Sequence, residues 1–172
     1  WAFAMTLMTA TLALTPVEIR QILEIEERTF PHPWTLADFE WLSQDELGLN
    51  LGLWRHESLV GYAIGTVEPT GFHLASLAVD PLYQRQGWGS RLLGAALTRA
   101  THRECRSCRL EVRCSNRAAL RMYEKFGFAV DGVRRRFYTK PVEDAWLFSR
   151  PLPAEPEPHA RDLWMSLGED NG

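Results

Sequence analysis

The sequence has no apolar run of the roughly 20 residues that a bilayer-crossing helix needs. It has little cysteine, only Cys105, Cys108 and Cys114 in 172 residues. It has no surplus of positive charge either: 19 Lys and Arg stand against 22 Asp and Glu, a net charge of −3. Each shortage excludes a class. The first argues against a membrane span. The apolar start "WAFAMTLMTATLALT" lacks a basic lead-in, which argues against a secretory leader. The second argues against a disulfide scaffold and points to a reducing compartment, so a cytoplasmic location is expected. The third argues against direct nucleic-acid binding, although "RRRFYTK" (134–140) is a local basic patch. The expected initiator is Met5 or Met8 rather than Trp1.

What is present is ordinary for one globular domain: 45% hydrophobic and 24% charged residues. His102, Cys105, Cys108 and Cys114 number four, enough for a zinc site. Their spacing fits the usual paired knuckles poorly, and a cysteine ending a strand cannot readily turn back to its start. No metal is expected.

Helices and strands follow from periodicity and punctuation. "TPVEIRQILEIEERTF" (15–30) reads as a helix. Thr15 is placed at the N-cap, Pro16 in the first turn, and Glu18 completes a capping box. Pro31 and Pro33 break the helix, and Thr35 opens a short second one. Trp34 and Trp41 are expected in the core. "LNLGLWR" and "LVGYAIGTVE" read as a hairpin around "HES". "FHLASLAV" (72–79) is the next strand, and a helix covers about 88–103. "CRLEVRC" is a strand. "SNRAALRMYEKFG" is a helix capped by Ser115 or Asn116 and ended by Gly127. Two strands close the domain. The partition expected is an N-terminal extension over 1–14, a single α/β domain over 15–152, and a proline-rich tail over 153–172 with an apolar anchor at Leu163, Trp164 and Leu167.

The motif that carries chemistry lies between strand and helix: "RQGWGS", Arg85 to Ser90. Glycines there let the backbone approach a ligand closely, and the following helix start adds partial positive charge. Such a turn suits phosphate. No Gly-Lys-Ser/Thr follows, so it is not a nucleotide P-loop. Leu92 stands where a dinucleotide fingerprint needs its third glycine. A tight corner without a ligand remains the plain alternative.

Four stretches extend the pattern: "EERTFPHPWT", "LAVDPLYQRQGWGSRLL", "LEVRCSNRAALRMYEKFGF" and "RRRFYTKPVEDAWLFSRPL". Together they resemble the GNAT superfamily of N-acetyltransferases, and within it the RimI-like ribosomal-protein alanine N-acetyltransferases. The resemblance implies the GNAT fold, a mixed central β-sheet flanked by helices. It implies acetyl-CoA as cosubstrate, with pantetheine along Leu77, Ala78 and Val79 and near Asn116. The pyrophosphate would lie on Arg85, Gln86, Gly87, Trp88, Gly89 and Ser90. It implies Glu111 as general base and Tyr123 as the acid that protonates the leaving thiolate. Tyr138 and Arg136 would face the acceptor. A monomer or weak dimer is expected.

Each residue also has a plainer role. Glu111 can be a strand carboxylate paired with Arg109 or Arg113. Tyr123 can be a core aromatic. The arginines can be a solvated edge. Two positions depart from the family: an acidic residue and an asparagine common on the strand before "AVDP" are Gly71 and Ser76 here.

Amine chemistry narrows the acceptor. An α-amine titrates near 8 and a lysine near 10.4, so at pH 7 the neutral fractions differ by about 250-fold. One carboxylate serves the former more easily. The expected acceptor is a protein N-terminus, by resemblance the N-terminal alanine of a small-subunit ribosomal protein. The alternatives are a small-molecule acetyltransferase acting on a polyamine, amino acid or aminoglycoside, and a module that binds acetyl-CoA without transfer.

Overall fold

The computed structural model describes residues 6–154. In chain order the elements are β1 (Met8–Thr11), α1 (Pro16–Thr29), α2 (Leu36–Leu42), β2 (Gly48–Arg55), β3 (Ser58–Glu68) and β4 (Gly71–Val79). Then come α3 (Trp88–His102), β5 (Ser107–Arg113), α4 (Arg117–Lys125), β6 (Ala129–Tyr138) and β7 (Glu143–Pro151). The strands form one mixed sheet in the order β1-β2-β3-β4-β5-β7-β6. Every neighbouring pair is antiparallel except β4 and β5. The expected α/β architecture is therefore present.

Each face of the sheet has its own core. Ile19, Ile22 and Ile25 of α1 and Phe39 of α2 pack on Leu59, Tyr62, Ile64 and Ala78. On the other face Leu92, Leu93, Ala96, Leu97 and Ala100 of α3 meet Leu53, Ala63, Phe72, Leu74, Leu110 and Val112. Full burial of such a side chain contributes about 1.5–3 kcal/mol, so these two stripes set which face each helix takes.

Local details differ from expectation in three places. Met8–Thr11, assigned to an extension, pairs antiparallel with β2 at the sheet edge. All four residues are exposed, so no alternation marked them as a strand. Thr15 does sit at the N-cap of α1, but its side chain makes no capping bond. Glu18 instead turns a carboxylate oxygen into the packing. The reciprocal box forms at α2, where Thr35 N donates to Asp38 Oδ2 at 2.7 Å and Asp38 N to Thr35 Oγ1 at 3.3 Å. Trp41, expected in the core, is 74% exposed. Its helix has only two turns, and Phe39 takes the inward position; Trp34 packs against Phe39 with centroids 5.5 Å apart. Asn116 caps α4 by accepting from Ala119 N, and Gly127 follows it at φ +82.

Two irregularities prepare the site. Ile64 faces Ser76 while Gly65 faces Leu74, so Ala75 is an extra residue in β4. The bulge resets the alternation. It puts both His73 and Ser76 on the face of Tyr62 and Ile64. The second irregularity is the seam between β4 and β5. Only Phe72↔Cys108 and His73↔Arg109 are paired, and the strands part beyond them. Among the described residues, no helix is long and apolar enough to cross a membrane. Residues 155–172, which include Leu163, Trp164 and Leu167, lie outside the described residues.

Candidate active site

The glycine turn leaves the open end of β4. Asp80 is buried, accepts from Leu82 N at 3.0 Å and pairs with Arg28 at 2.9 Å. Gln84 Nε2 donates to Val79 O at 2.8 Å. These bonds fix the lead-in. Arg85 and Gly87 then take positive φ, +61° and +84°. Left-handed residues on the two sides of Gln86 curl the backbone, and turns of this kind are the ones that form anion nests. Gly87 is the N-cap of α3, whose first N–H groups have no intrahelical acceptor. A Cβ added at Gly87 would meet no atom within 4 Å. The space beside Gly87 is therefore open. Arg85 and Gln86 are exposed; Trp88, Gly89 and Ser90 are half-buried. Gly89 faces Met122 Sδ and Val79 Cγ2, at 3.6 and 3.9 Å from its ideal Cβ. That contact brings the turn, the end of β4 and α4 together. Leu77 and Val79 face this side, whereas Ala78 packs on the α1 side.

Glu111 lies on the opposite face, two residues past the last β4–β5 pair. It is the fifth of the seven residues of β5. Oε2 lies 2.7 Å from His73 Nε2, and Oε1 accepts from Arg109 Nη1 at 3.2 Å. Arg109 also forms a fork on Glu68, at 3.0 and 2.7 Å. Burial pushes the Glu111 carboxyl up, but the bond to His73 and the charges of His73, Arg109 and Arg134 outweigh it. The net effect holds Glu111 below the usual carboxylate range. The pairing with Arg109 that the plainer role offered is present. Arg113 instead meets Glu143 at 3.5 Å and covers the Tyr138 ring at 4.2 Å.

Tyr123 is buried between Phe128 and Phe148, with centroids 5.5 and 6.5 Å away. Burial, then the charges of Cys108 and Tyr138, push its phenol well above the ordinary value. It remains a neutral donor at physiological pH. Tyr138 is pushed up to about 12, by burial first and by Glu111 next. Tyr138 thus lies within electrostatic reach of both Glu111 and Tyr123. Arg136 is not brought into this group. It is exposed on a bulge at φ +53, and its backbone N donates to Asp144 Oδ1 at 2.9 Å. Cys108 is buried, which raises its thiol to about 12, so it offers no thiolate to a covalent route. Among the described residues no cluster of three His, Cys, Asp or Glu side chains suits a metal.

The model of the acetyltransferase (GNAT) family matches residues 17–128. The chain belongs to the acetyltransferase (GNAT) family. The [ribosomal protein bS18]-alanine N-acetyltransferase of Escherichia coli K12 is 34% identical over 147 residues, 84% of this chain and 99% of that protein. The crystal structure of the ribosomal-protein-S18-alanine N-acetyltransferase from Escherichia coli has a TM-score of 0.77 at 32% identity, covering 89% of this chain and 98% of its own. Arabidopsis thaliana NAA60, solved in complex with acetyl-CoA, shares the fold alone at 17% identity and TM-score 0.74, over 86% and 100% of the two chains. The protein is an N-acetyltransferase.

Several residues of this GNAT enzyme's site escape sequence reasoning. His73 and Glu68 reach Glu111 only through the sheet register. Of the β6 arginines, Arg134 rather than Arg136 acts on Glu111, alongside Arg109 of β5. Glu26 of α1 is 1% exposed. It accepts from the Tyr62 hydroxyl, from Trp34 N at 3.0 Å and, at 3.5 Å, from Ser76. It ties the α1–α2 loop to the sheet, and burial raises its pKa against those bonds. The motif "EERTFPHPWT" contained Glu26 but gave no sign of its burial. The departure at Gly71 has a steric cause: φ is +147, and a Cβ would collide with Ser107. The nearby carboxylate comes from Glu68, directly across β3 from Gly71.

Proposed function

We propose that this enzyme transfers acetyl from acetyl-CoA to the N-terminal α-amine of a protein, an alanine of a small-subunit ribosomal protein. The observation that carries the reading is the placing of Glu111 and the glycine turn on opposite faces of one parted seam. A thioester held from one side can then meet an amine from the other. The relatives named for alanine N-acetylation support the acceptor.

Acetyl-CoA supplies the acetyl group as a reactive thioester. Arg85 to Ser90 would hold its pyrophosphate on backbone N–H groups, and Leu77 and Val79 would line the pantetheine. Asn116 gives its side-chain oxygen to the α4 cap, leaving its amide nitrogen for the same arm. Glu111, ionised at pH 7, takes the proton from the ammonium so that the amine can attack. Tyr123 donates to the leaving sulfur. Tyr138 lines the acceptor side, with Arg136 further out on the β6 bulge.

Proton energetics favour an α-amine. From an ammonium near 8 to a carboxyl below its usual 4.5 the transfer is uphill by at least about 5 kcal/mol; from a lysine it is about 8. The test is thiol release with a peptide starting in alanine. A control peptide has its α-amine blocked and an internal lysine free. Release with the first alone is expected. Release only with a polyamine or amino sugar would sink the peptide assignment.

A further inference from the structure

Glu68, His73, Glu111 and Arg109 close on themselves. Glu68 Oε1 meets Arg109 at 2.7 Å and His73 Nδ1 at 4.0 Å. Arg109 meets Glu111 at 3.2 Å, and Glu111 meets His73 at 2.7 Å. β3, β4 and β5 each contribute to this ring, and Arg134 of β6 adds positive potential at Glu111. With a neutral imidazole, two carboxylates face one guanidinium and the ring carries one excess negative charge. One proton on His73 balances it.

The position is as telling as the charge. His73 is the last residue of β4 paired to β5. Its side chain continues the connection across the seam one step beyond the backbone ladder, to Glu111. The His73 side chain is 22% exposed and that of Glu111 11%, so the histidine has the better route to water.

We propose that His73 is a positioning residue that orients Glu111 toward the acceptor and receives the proton Glu111 removes. This rests on the reading of Glu111 as base. The acceptor's N–H bond breaks as an O–H bond forms on Glu111. That O–H bond then breaks as an N–H bond forms at Nε2, turning neutral imidazole into imidazolium. The Nδ1 proton leaves past Glu68 to solvent, and water then returns a proton to Nδ1 as the Nε2 proton departs, restoring the starting tautomer of the neutral ring. No electrons change hands. Glu111 is thereby reset without its own proton having to escape from the seam.

The test separates holding from proton transfer. Glutamine at 73 can donate to Glu111 but cannot take up a proton. His73→Gln should lower kcat about tenfold, less than the 10²–10⁴ typical for losing the group that itself exchanges a proton with the reacting amine. KM for acetyl-CoA and for an alanine-starting peptide should stay within about twofold. The acid limb of kcat/KM should move to lower pH, because Glu111 alone then sets it. His73→Ala should recover turnover on adding imidazole; no response to imidazole would overturn the inference, even if His73→Gln proved unstable. Unchanged turnover and pH profile in His73→Gln, beside an inactive Glu111→Gln, would overturn it and leave the base assignment standing. A fully active Glu111→Gln would overturn both.

Discussion

The two sides of the β4–β5 seam are built from different materials. On the α3–α4 side the polar work falls to backbone: a glycine turn and a helix start. Its side chains are Leu77, Val79, Met122 and a buried Tyr123. On the α1–α2 side the work falls to charged side chains: Glu68, His73, Arg109, Glu111 and Glu26. Backbone recognition suits a ligand whose phosphates never vary. Charged side chains can be exchanged between relatives to suit different amines. Here the carboxylate stands on Glu68 of β3, opposite Gly71 of β4.

This division can be broken from either side. The largest effect is expected for Glu111→Gln. Losing a general base typically costs 10²–10⁴ in rate, so kcat should fall about a thousandfold while acetyl-CoA affinity, read by calorimetry, is unchanged. A parallel loss of affinity would mean the sides are not separable. Tyr123→Phe tests where they meet. Its kcat should drop about a hundredfold, while packing on Phe128 and Phe148 preserves the fold, as circular dichroism would show. Gly87→Ala attacks the backbone side. The new Cβ meets no atom, so the cost is the left-handed backbone alone, about 1–2 kcal/mol. If the turn relaxes to escape that cost, acetyl-CoA affinity falls about 5- to 30-fold with the peptide KM unaltered. An affinity equal to the parent's would remove the turn from the cofactor site.

The smallest effect is one of slope. Glu26 has a raised pKa in the fold. The folded protein therefore holds that proton more tightly than the unfolded chain. The contribution is complete below 4.5, the ordinary value, and is lost as pH rises through the raised one. Glu26→Gln should therefore gain in stability relative to the parent between pH 4 and pH 7, measured by urea melts. Glu111 and Glu68, both held low, contribute oppositely: their stabilisation is present above the ordinary value and lost as pH falls. A difference between parent and variant that does not change with pH would show that Glu26 titrates normally.

The backbone side was far more legible in the sequence than the side-chain side. "RQGWGS" is contiguous, and its glycines must sit where the chain turns. Glu111 and Tyr123 are legible as candidates because each lies in a motif on its own strand or helix. His73 is not, because nothing local distinguishes it. A histidine 38 residues from Glu111 becomes its neighbour only once β4 and β5 are in register and Ala75 is bulged out. Glu26 was missed for a related reason: in a helix rich in carboxylates, only packing tells which one is inside. β1 is hidden in the sequence because its four exposed residues carry no alternation, and the size of Trp41 is no guide to its burial, since Phe39 takes the inward position.

The shortness of the β4–β5 ladder has a thermodynamic side. Strands β1 to β4 and β5 to β7 are joined through the sheet by two ladder pairs alone. The halves are thus candidates for separate opening units, which amide hydrogen exchange would register as two classes of protection. A molecule seated in the fork and touching both halves becomes part of the joint. Occupancy and resistance to opening are then linked: at a hundred times its Kd a ligand adds about 2.7 kcal/mol to the stability of whatever it holds together. The cell's acetyl-CoA level would thereby set not only how fast the enzyme turns over but how long its two halves stay closed against a protease.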